Sequence, residues 1–344
     1  MNSAPRSTQT KPPSGREGFI VMLRRRVVPW LQVIGLLLLA LAVYLVIGQK
    51  DLLSNAWASL KSAPAWQIVA VVTLPVANWL IVTLLFHALT NHCARVRLGE
   101  MTALIGSAWL LNIIPGRPGL MGRVAYHKLV NRMNIKDCVM VIMMGIAANG
   151  VAIALALLLI GATFLGGSIL PQELSVAYTP RLLIFGAAAT LAMILSVAWL
   201  QHGSRPVGTG PMTPWRFTFA VAMRYADYLV WIARYWLAFS VIGIPITLTE
   251  AAAVAAVSQL VQLLPVQLGP REWAVGLAGT FLPSLRPAAA STTVNPVTGL
   301  TADLLNRAAE LAVSLPVGLV CTWWVFRAVR RAERAQPVIT PSGR

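Results

Sequence analysis

Residues 98–136 read LGEMTALIGSAWLLNIIPGRPGLMGRVAYHKLVNRMNIK, and this stretch decides the fold that the chain can adopt. It runs from Glu100 through a mostly apolar segment, breaks at PGRPG (residues 115–119) and ends in a basic amphipathic run. Residues 248–282, LTEAAAVAAVSQLVQLLPVQLGPREWAVGLAGTFL, repeat this arrangement with a second break at Pro265 and Gly269. Apolar segments interrupted by Pro and Gly at matching places in two halves of a chain are typical of transporter substrate sites.

The two stretches also share residues at matched positions. The identical pairs are Leu98 with Leu248, Glu100 with Glu250, Ala103 with Ala253, Leu110 with Leu260, Pro115 with Pro265 and Gly119 with Gly269. They predict an inverted repeat with half-repeats at about residues 65–200 and 215–330. The alternative is chance agreement between two segments that are both rich in Ala and Leu.

The composition is that of a polytopic helical membrane protein. Of the 344 residues, 57% are hydrophobic and only 11% are charged, whereas a soluble domain carries roughly 25% charged residues. The chain shows no alternating ten-residue pattern of the kind that predicts a barrel. In a membrane protein, Lys and Arg mark cytoplasmic loops and attract anionic lipid headgroups. The net charge of +17 therefore predicts anionic lipids as partners, and not nucleic acid.

Apolar runs predict about six full transmembrane helices. They lie at about residues 27–48, 65–89, 138–165, 181–200, 217–242 and 300–326. Residues 1–23 are predicted to be a disordered basic cytoplasmic tail, residues 24–330 a single integral membrane domain, and residues 331–344 a second cytoplasmic tail.

The two broken stretches are predicted to be re-entrant hairpins. If residues 98–114 crossed the membrane completely, the basic residues between 117 and 136 would lie outside, against the positive-inside tendency. With hairpins, both termini are cytoplasmic and 20 of the 28 Lys and Arg residues fall on cytoplasmic segments. The hairpins then enter from opposite faces of the membrane, as an inverted repeat requires.

Two predicted spans carry charged residues along one helical face. These residues are Arg224, Asp227 and Arg234 in the first span and Asp303, Arg307 and Glu310 in the second. An ionised side chain at the bilayer centre costs roughly 2.5–3.5 kcal/mol, so both faces should point into the bundle. They predict a polar path for a charged headgroup or a proton. The alternative is that Arg224–Asp227 and Asp303–Arg307 are ion pairs that hold helices together.

The residues around the two breaks are suited to bind an anion. Asn112, Arg117 and Arg123 flank the first break, and Arg is the side chain best suited to bidentate phosphate contact. Arg271 and Glu272 follow the second break, where a helix that begins near Pro270 would present free N–H groups to an anion.

Each of these candidate sites has a simpler alternative. Arg123, with the basic residues that follow it up to Lys136, could be an ordinary topology signal. Arg271 and Glu272 could pair with each other and cap the second hairpin.

No recognisable catalytic or nucleotide-binding motif occurs in the sequence. The chain contains no G-x-x-x-x-G-K-[ST], H-E-x-x-H or G-x-S-x-G pattern, and its four histidines are dispersed. Cys93, Cys138 and Cys321 lack metal-binding spacing. The sequence therefore predicts no catalytic residue, no metal site and no cofactor, and it favours a non-enzymatic role without deciding the question.

The quoted motifs carry a family resemblance. LLNIIPGRPGLMGRVAYHKL (residues 110–129) and LLPVQLGPREWAV (residues 263–275) resemble the lysylphosphatidylglycerol synthase transmembrane-region family, also called the flippase-like domain family. The residues that match its motifs are Asn112, Pro115, Arg117 and Gly119, then Pro265, Gly269, Arg271 and Glu272, and Arg307 on the last helix. The chain departs from the family at Leu120, where an acid is usual, and at Pro270, which is inserted before Arg271.

The resemblance implies a stand-alone translocase domain without the soluble aminoacyltransferase domain. The predicted function is translocation of an anionic or glycosylated lipid between the leaflets of a bacterial inner membrane. The implied partners are membrane lipids and a lipid-biosynthetic enzyme. The alternatives are an intramembrane transferase or accessory subunit of a polyprenyl, hopanoid or glycolipid pathway, and a scaffold without transport.

Overall fold

The computed structural model describes residues 50–112, 118–169, 214–244, 246–262, 269–281 and 296–334, with scattered positions between 37 and 48. Every regular element within these ranges is an α-helix, so the predicted all-α class is confirmed for them. The predicted tail at residues 1–23, the span at 181–200 and most of the span at 27–48 lie outside the described residues. So do Pro115, Arg117 and Pro265 from the two breaks.

A short helix, α1 (Lys50–Ser62), precedes two sets of four helices. The first set is α2 (Ala65–Thr90), α3 (Leu98–Leu111), α4 (Pro118–Leu129) and α5 (Ile135–Ile169). The second set is α6 (Pro214–Val241), α7 (Leu248–Val261), α8 (Pro270–Phe281) and α9 (Pro296–Arg334). Each set contains a long helix, a helix of 14 residues, a helix of 12 residues and a second long helix.

The first broken stretch forms an antiparallel hairpin of α3 and α4. At its tip, Gly119 lies so close to α3 that a Cβ atom there would overlap the carbonyl oxygen of Ala108. At its open end, the side chain of Tyr126 is hydrogen-bonded to Glu100. The hairpin therefore returns to the end of the bundle at which it starts, as the sequence predicts, and Gly119 permits the close approach of its two helices.

The second broken stretch forms the helix pair α7 and α8, which pack against each other. A capping box starts α7: Thr247 Oγ1 accepts from the Glu250 N–H at 3.2 Å, and Glu250 Oε2 accepts from the Thr247 N–H at 2.7 Å. At the start of α8, Glu272 Oε2 accepts a hydrogen bond from the Gly269 N–H at 2.7 Å. Gly269 has a φ of +89°, a backbone conformation that favours glycine.

The loops of the bundle separate into two ends. At one end, which we call the basic end, Val96 and Met101 share an apolar cluster with Phe217, so the α2–α3 loop lies beside the start of α6. Helix α9 runs antiparallel to α3, with Leu110 against Gly318, and its C-terminus therefore reaches the same end. At the opposite end, α1 lies beside the α6–α7 loop.

The basic end carries most of the described Lys and Arg residues that are not buried. They are Arg95, Arg97, Arg132, Lys136, Arg216, Arg327, Arg330, Arg331 and Arg334. The α4–α5 loop belongs to this end because Met133 and Thr90 line one small cavity. Helix α9 extends through Arg334, so residues 331–334 of the predicted cytoplasmic tail are helical.

The bundle has an apolar exterior, and its interior combines apolar clusters with buried charged side chains. Exposed large apolar side chains on its helices include Trp66, Val69, Leu80, Met143, Leu319, Val320 and Trp323. Three helices are long and apolar enough to cross a membrane: α2, the Ile135–Ala154 part of α5, and α9. An exterior of this kind suits lipid and not water, and it supports the membrane-protein class, although the count of six spans is not reached by the described helices.

Candidate functional site

A layer of charged side chains near the middle of the bundle centres on Glu310 of α9. The Glu310 carboxylate accepts hydrogen bonds from Trp109 Nε1 at 3.1 Å, Arg271 Nη1 at 3.2 Å and Arg307 Nη1 at 3.2 Å. Arg234 Nη2 adds a fourth contact at 3.4 Å. Since these donors come from α3, α8, α9 and α6, one carboxylate connects four helices.

Arg271 links the second hairpin to this layer. Its Nη2 donates to Asp303 Oδ1 at 2.9 Å, while its Nη1 donates to Glu310. Tyr235 donates its hydroxyl to the same Asp303 oxygen at 2.7 Å. Asp303 therefore pairs with Arg271 and not with Arg307, the partner suggested by spacing along the helix. The Asp303–Arg307 pair of the alternative interpretation is therefore not formed among the described residues, because a residue from another helix supplies the closer cation.

Asn78 of α2 connects the remaining charges. Its Nδ2 donates to Asp227 Oδ1 at 2.7 Å, and its Oδ1 accepts from Arg234 Nη1 at 2.9 Å. Arg234 Nε also donates to Asn306 Oδ1 at 2.9 Å. Arg224 Nη1 lies 3.1 Å from Asp227 Oδ2, which confirms the predicted Arg224–Asp227 ion pair. An amide that donates to an acid and accepts from a base satisfies both charges at once.

The charges of this layer balance. It contains four arginines (Arg224, Arg234, Arg271 and Arg307) and four carboxylates (Asp227, Glu272, Asp303 and Glu310), with Glu272 interacting electrostatically with Arg271 and Asp303. A buried charge without a partner is strongly destabilising, and the network avoids that cost. Its clearest role is to neutralise charges that would otherwise be isolated inside an apolar bundle.

A cavity of about 280 Å³ lies beside this layer. Both hairpins contribute to its wall: Asn112 and Leu120 come from the first, and Gln259 and Gln262 from the second. The charged side chains in the wall are Arg123, Arg224, Asp227, Arg234 and Glu310, and the aromatic ones are Trp79, Phe86, Trp109 and Trp231. Mixed aromatic and polar walls with a few charged groups are typical of ligand-binding pockets.

Arg123 differs from the other arginines in the wall of this cavity. It is 93% buried, with 7% of its surface exposed, and its guanidinium lies 3.8 Å from the centre of the Phe86 ring. It makes no ion pair with any carboxylate in the described part of the chain, whereas Arg224 and Arg234 both do. One buried positive charge in the cavity therefore lacks a protein counter-charge among the described residues.

Several other polar atoms of the cavity wall are buried without a hydrogen-bond partner among the described residues. They are Trp79 Nε1, Asn112 Oδ1, Arg224 Nε and Gln259 Nε2. Buried polar atoms in native proteins are usually paired with protein, water or a ligand. These atoms belong to residues of the cavity wall but have almost no accessible surface themselves, so a polar molecule in the cavity would contact them only after the side chains move.

A second, small cavity of about 10 Å³ lies against Arg123, His127 and Thr90. Its volume is that of about one water molecule. Asn131 Nδ2 lies 3.0 Å from His127 Nδ1, which makes Nδ1 the acceptor and assigns the ring hydrogen to Nε2. Burial and the neighbouring Arg123 charge lower the pKa of His127 to about 4, so the imidazole is neutral at pH 7. The groups here are therefore polar but uncharged, and they leave the Arg123 charge unbalanced.

The structure brings together only part of the predicted headgroup site. Asn112 and Arg123 line the cavity, whereas Arg271 and Glu272 lie outside its wall, in the charged layer and at the start of α8. Glu272 caps α8, as the alternative interpretation expected, while Arg271 pairs with Asp303 and Glu310.

The predicted polar path also divides. Arg224, Asp227, Arg234 and Glu310 reach the cavity wall, while Asp303 and Arg307 belong only to the charged layer. Of the predicted break residues, Gly119 lies on the first turn of α4 and Gly269 immediately precedes α8.

Sequence reasoning missed Asn78, Trp109, Asn149 and Gln259. Three of them are amides within apolar helical runs, and a search for uncharged polar residues inside predicted spans would have identified them. Trp109 gives no such signal, because an aromatic residue in an apolar helix is ordinary.

Comparisons with known proteins do not assign this site. The chain matches no protein-family model, no curated protein and no solved structure. The resemblance to the flippase-like domain family therefore stays a prediction. Among the residues that the structure describes, no group of three or more His, Cys, Asp or Glu side chains is placed to hold a metal ion.

Proposed function

We propose that this chain is a membrane protein that binds the headgroup of an anionic or glycosylated lipid in the central cavity and moves the lipid between leaflets. The observation that carries the proposal is Arg123, a buried cation in the cavity wall with no described carboxylate beside it. An arginine in that setting is suited to a bidentate contact with phosphate. The acyl chains would remain in the lipid around the bundle while the headgroup occupies the cavity.

The arrangement of helices supports an inverted repeat as the framework for this function. The two long helices α2 and α6 pack on each other, and α3 of the first set packs on α9 of the second. The reciprocal contact, between α7 of the second set and α5 of the first, is also present. In transporters with inverted repeats, discontinuous helices from the two halves meet at the substrate site near the midplane, and residues of α3 and α7 meet here at the cavity.

The distribution of charge supports placing the basic end in the cytoplasm. Lys and Arg concentrate in cytoplasmic loops of membrane proteins and attract anionic lipids of that leaflet. The proposed membrane is the bacterial inner membrane, with six spans and both termini cytoplasmic. A lipid would then enter the cavity from the cytoplasmic leaflet, where the basic end attracts anionic headgroups.

Leaflet exchange in liposomes tests the proposal. The purified protein would be reconstituted with a fluorescent anionic phospholipid, and an impermeant reductant would report how much of the label moves to the outer leaflet. Arg123→Gln should lower the exchange rate by about tenfold or more, because hydrogen bonds to charged groups are worth roughly 1.5–3 kcal/mol. Lys128→Gln is the matched control, since Lys128 is exposed on the same helix.

Three results would count against the proposal. Exchange by the parent protein no faster than in empty liposomes, from protein shown to be folded, contradicts translocation. Equal exchange by the parent and by Arg123→Gln contradicts the role of this cavity. Loss of exchange in Lys128→Gln equal to the loss in Arg123→Gln would indicate a general effect of positive charge on α4.

A further inference from the structure

The charges of the cavity wall restrict the kind of headgroup that fits. Among the described residues of the wall there are three arginines and two carboxylates. Asp227 is paired with Arg224, and Glu310 is paired with Arg234 and with arginines of the charged layer. Among its described residues, the wall therefore offers one unpaired positive charge, on Arg123, and no carboxylate that is free to accept an ammonium group.

The uncharged groups of the wall add a second restriction. Trp79 Nε1 and Gln259 Nε2 are buried donors, and Asn112 Oδ1 is a buried acceptor, all without described partners. Hydroxyl groups both donate and accept hydrogen bonds, so a hydroxyl-bearing headgroup matches both kinds of atom once the side chains turn toward the cavity. An alkyl ammonium group only donates, and it would leave the two buried donors without partners.

The size of the cavity adds a third restriction. A volume of about 280 Å³ falls just below the range of about 300–1,000 Å³ that is common for pockets holding drug-sized ligands. It suits a phosphate with one small polyol or sugar and leaves no room for an acyl chain.

We infer that the lipid has a phosphodiester headgroup with one negative charge and a neutral polyol or sugar. This inference rests on the proposed function, which interprets the cavity as a headgroup site. Arg123 contacts the phosphodiester oxygens, and Asn112 and Gln259 contact the hydroxyl groups. Zwitterionic and aminoacylated headgroups are disfavoured because their ammonium group finds no free carboxylate in the described wall. A phosphate monoester is disfavoured because its second negative charge has no counter-charge there.

A binding panel tests this inference without depending on transport. The full chain in detergent would be titrated with lipids of identical acyl chains: phosphatidylglycerol, phosphatidylethanolamine, phosphatidic acid and an aminoacylated phosphatidylglycerol. Binding is followed by tryptophan fluorescence, since Trp79, Trp109 and Trp231 line the cavity, and by native mass spectrometry. The deacylated headgroup glycerophosphoglycerol, added as a competitor, reports whether the headgroup alone is recognised.

We expect phosphatidylglycerol to bind about tenfold or more tightly than each of the other three lipids. The preference should disappear in Arg123→Gln and persist in Lys128→Gln. Arg123→Lys keeps the charge but not the bidentate geometry, so it should keep the preference with weaker binding. If Arg123→Gln does not fold, Arg123→Lys and Gln259→Leu, which removes only an amide, provide the comparison.

Two outcomes would overturn the inference. One is equal or tighter binding of phosphatidylethanolamine, the aminoacylated lipid or phosphatidic acid. The other is a preference for phosphatidylglycerol that survives in Arg123→Gln. Failure of the inference can be distinguished from failure of the proposed function. Selective binding without leaflet exchange overturns transport alone, and exchange without headgroup preference overturns the inference alone.

Discussion

Two buried charged residues of this protein, Glu310 and Arg123, have opposite surroundings. Glu310 receives hydrogen bonds from three arginines and a tryptophan, whereas Arg123 has an aromatic ring and neutral polar groups beside it. A buried charge that is fully paired supports the fold, and one that is left unpaired costs stability. From this difference we propose that Glu310 stabilises the structure and that Arg123 binds the ligand.

Stability measurements on two substitutions separate these roles. Glu310→Gln should lower the free energy of unfolding by about 3–5 kcal/mol, because it leaves buried arginines without their shared carboxylate. Arg123→Gln should leave stability unchanged or raise it, because it removes a cation that has no described counter-charge. Thermal unfolding in detergent micelles measures both, and Glu333→Gln at the exposed end of α9 is the control for the first.

The opposite ranking would contradict this division of roles. A stable Glu310→Gln variant would show that the arginines find other partners. A strongly destabilised Arg123→Gln variant would show that Arg123 is part of the structural framework.

At the scale of elements, the two hairpins depend on glycines that allow close helix contact. Gly119 lies against the Ala108 carbonyl at the tip of the first hairpin, and Gly299 of α9 lies against Val275 and Gly276 of α8. Since the backbone carbonyl cannot move away as a flexible side chain could, a methyl group at Gly119 must separate α3 from α4. The hairpin tip also contributes Asn112 to the cavity, so its geometry affects the site.

Gly119→Ala should therefore destabilise the protein by about 1–3 kcal/mol, the usual cost of overpacking. Gly122→Ala is the matched control, because a methyl group there meets only Leu111 Cδ1 at 3.9 Å, and alanine favours helix by up to about 1 kcal/mol over glycine. The unfolding midpoints of the two variants should shift in opposite directions. Equal midpoints would mean that the hairpin is more loosely packed than the structure shows.

The hairpins also show which features of the fold and of the site can be predicted from the sequence alone. The Pro and Gly residues of each break predict that both stretches are interrupted, and α3 and α7 end at Leu111 and Val261, four residues before Pro115 and Pro265. The basic residues after Arg117 predict that α4 returns along α3, and the contact of Gly119 with Ala108 agrees with this. Sequence could not predict the partner of Arg271, because Asp303 and Glu310 lie on a different helix. Sequence could not predict the role of Asn78 either, because this amide in an apolar run contacts Asp227 and Arg234 only through the packing of α2 against α6.

At the scale of the whole molecule, the charge distribution predicts an orientation in the membrane. The basic end carries the α2–α3 loop, the α4–α5 loop and the C-terminus of α9, while the opposite end carries α1 and the α6–α7 loop. The positive-inside tendency predicts that the basic end faces the cytoplasm. Both broken stretches bring residues from their tips to the cavity from opposite ends of the bundle.

Cysteine labelling in intact spheroplasts tests this orientation. In a background with the native cysteines replaced by serine, an impermeant thiol reagent should label Lys61→Cys directly and Arg97→Cys and Arg331→Cys only after permeabilisation. All three positions are exposed. Labelling of Arg97→Cys in intact spheroplasts would contradict the orientation.

The most direct test of the central claim is an electron cryomicroscopy map of the protein in nanodiscs that contain phosphatidylglycerol. We predict headgroup density in the cavity between the two hairpins, with its phosphate within hydrogen-bonding distance of the Arg123 guanidinium, and loss of that density in Arg123→Gln. Phosphate density only at the basic end, with the cavity filled by water or by protein side chains in both proteins, would contradict the claim that this cavity binds a lipid headgroup.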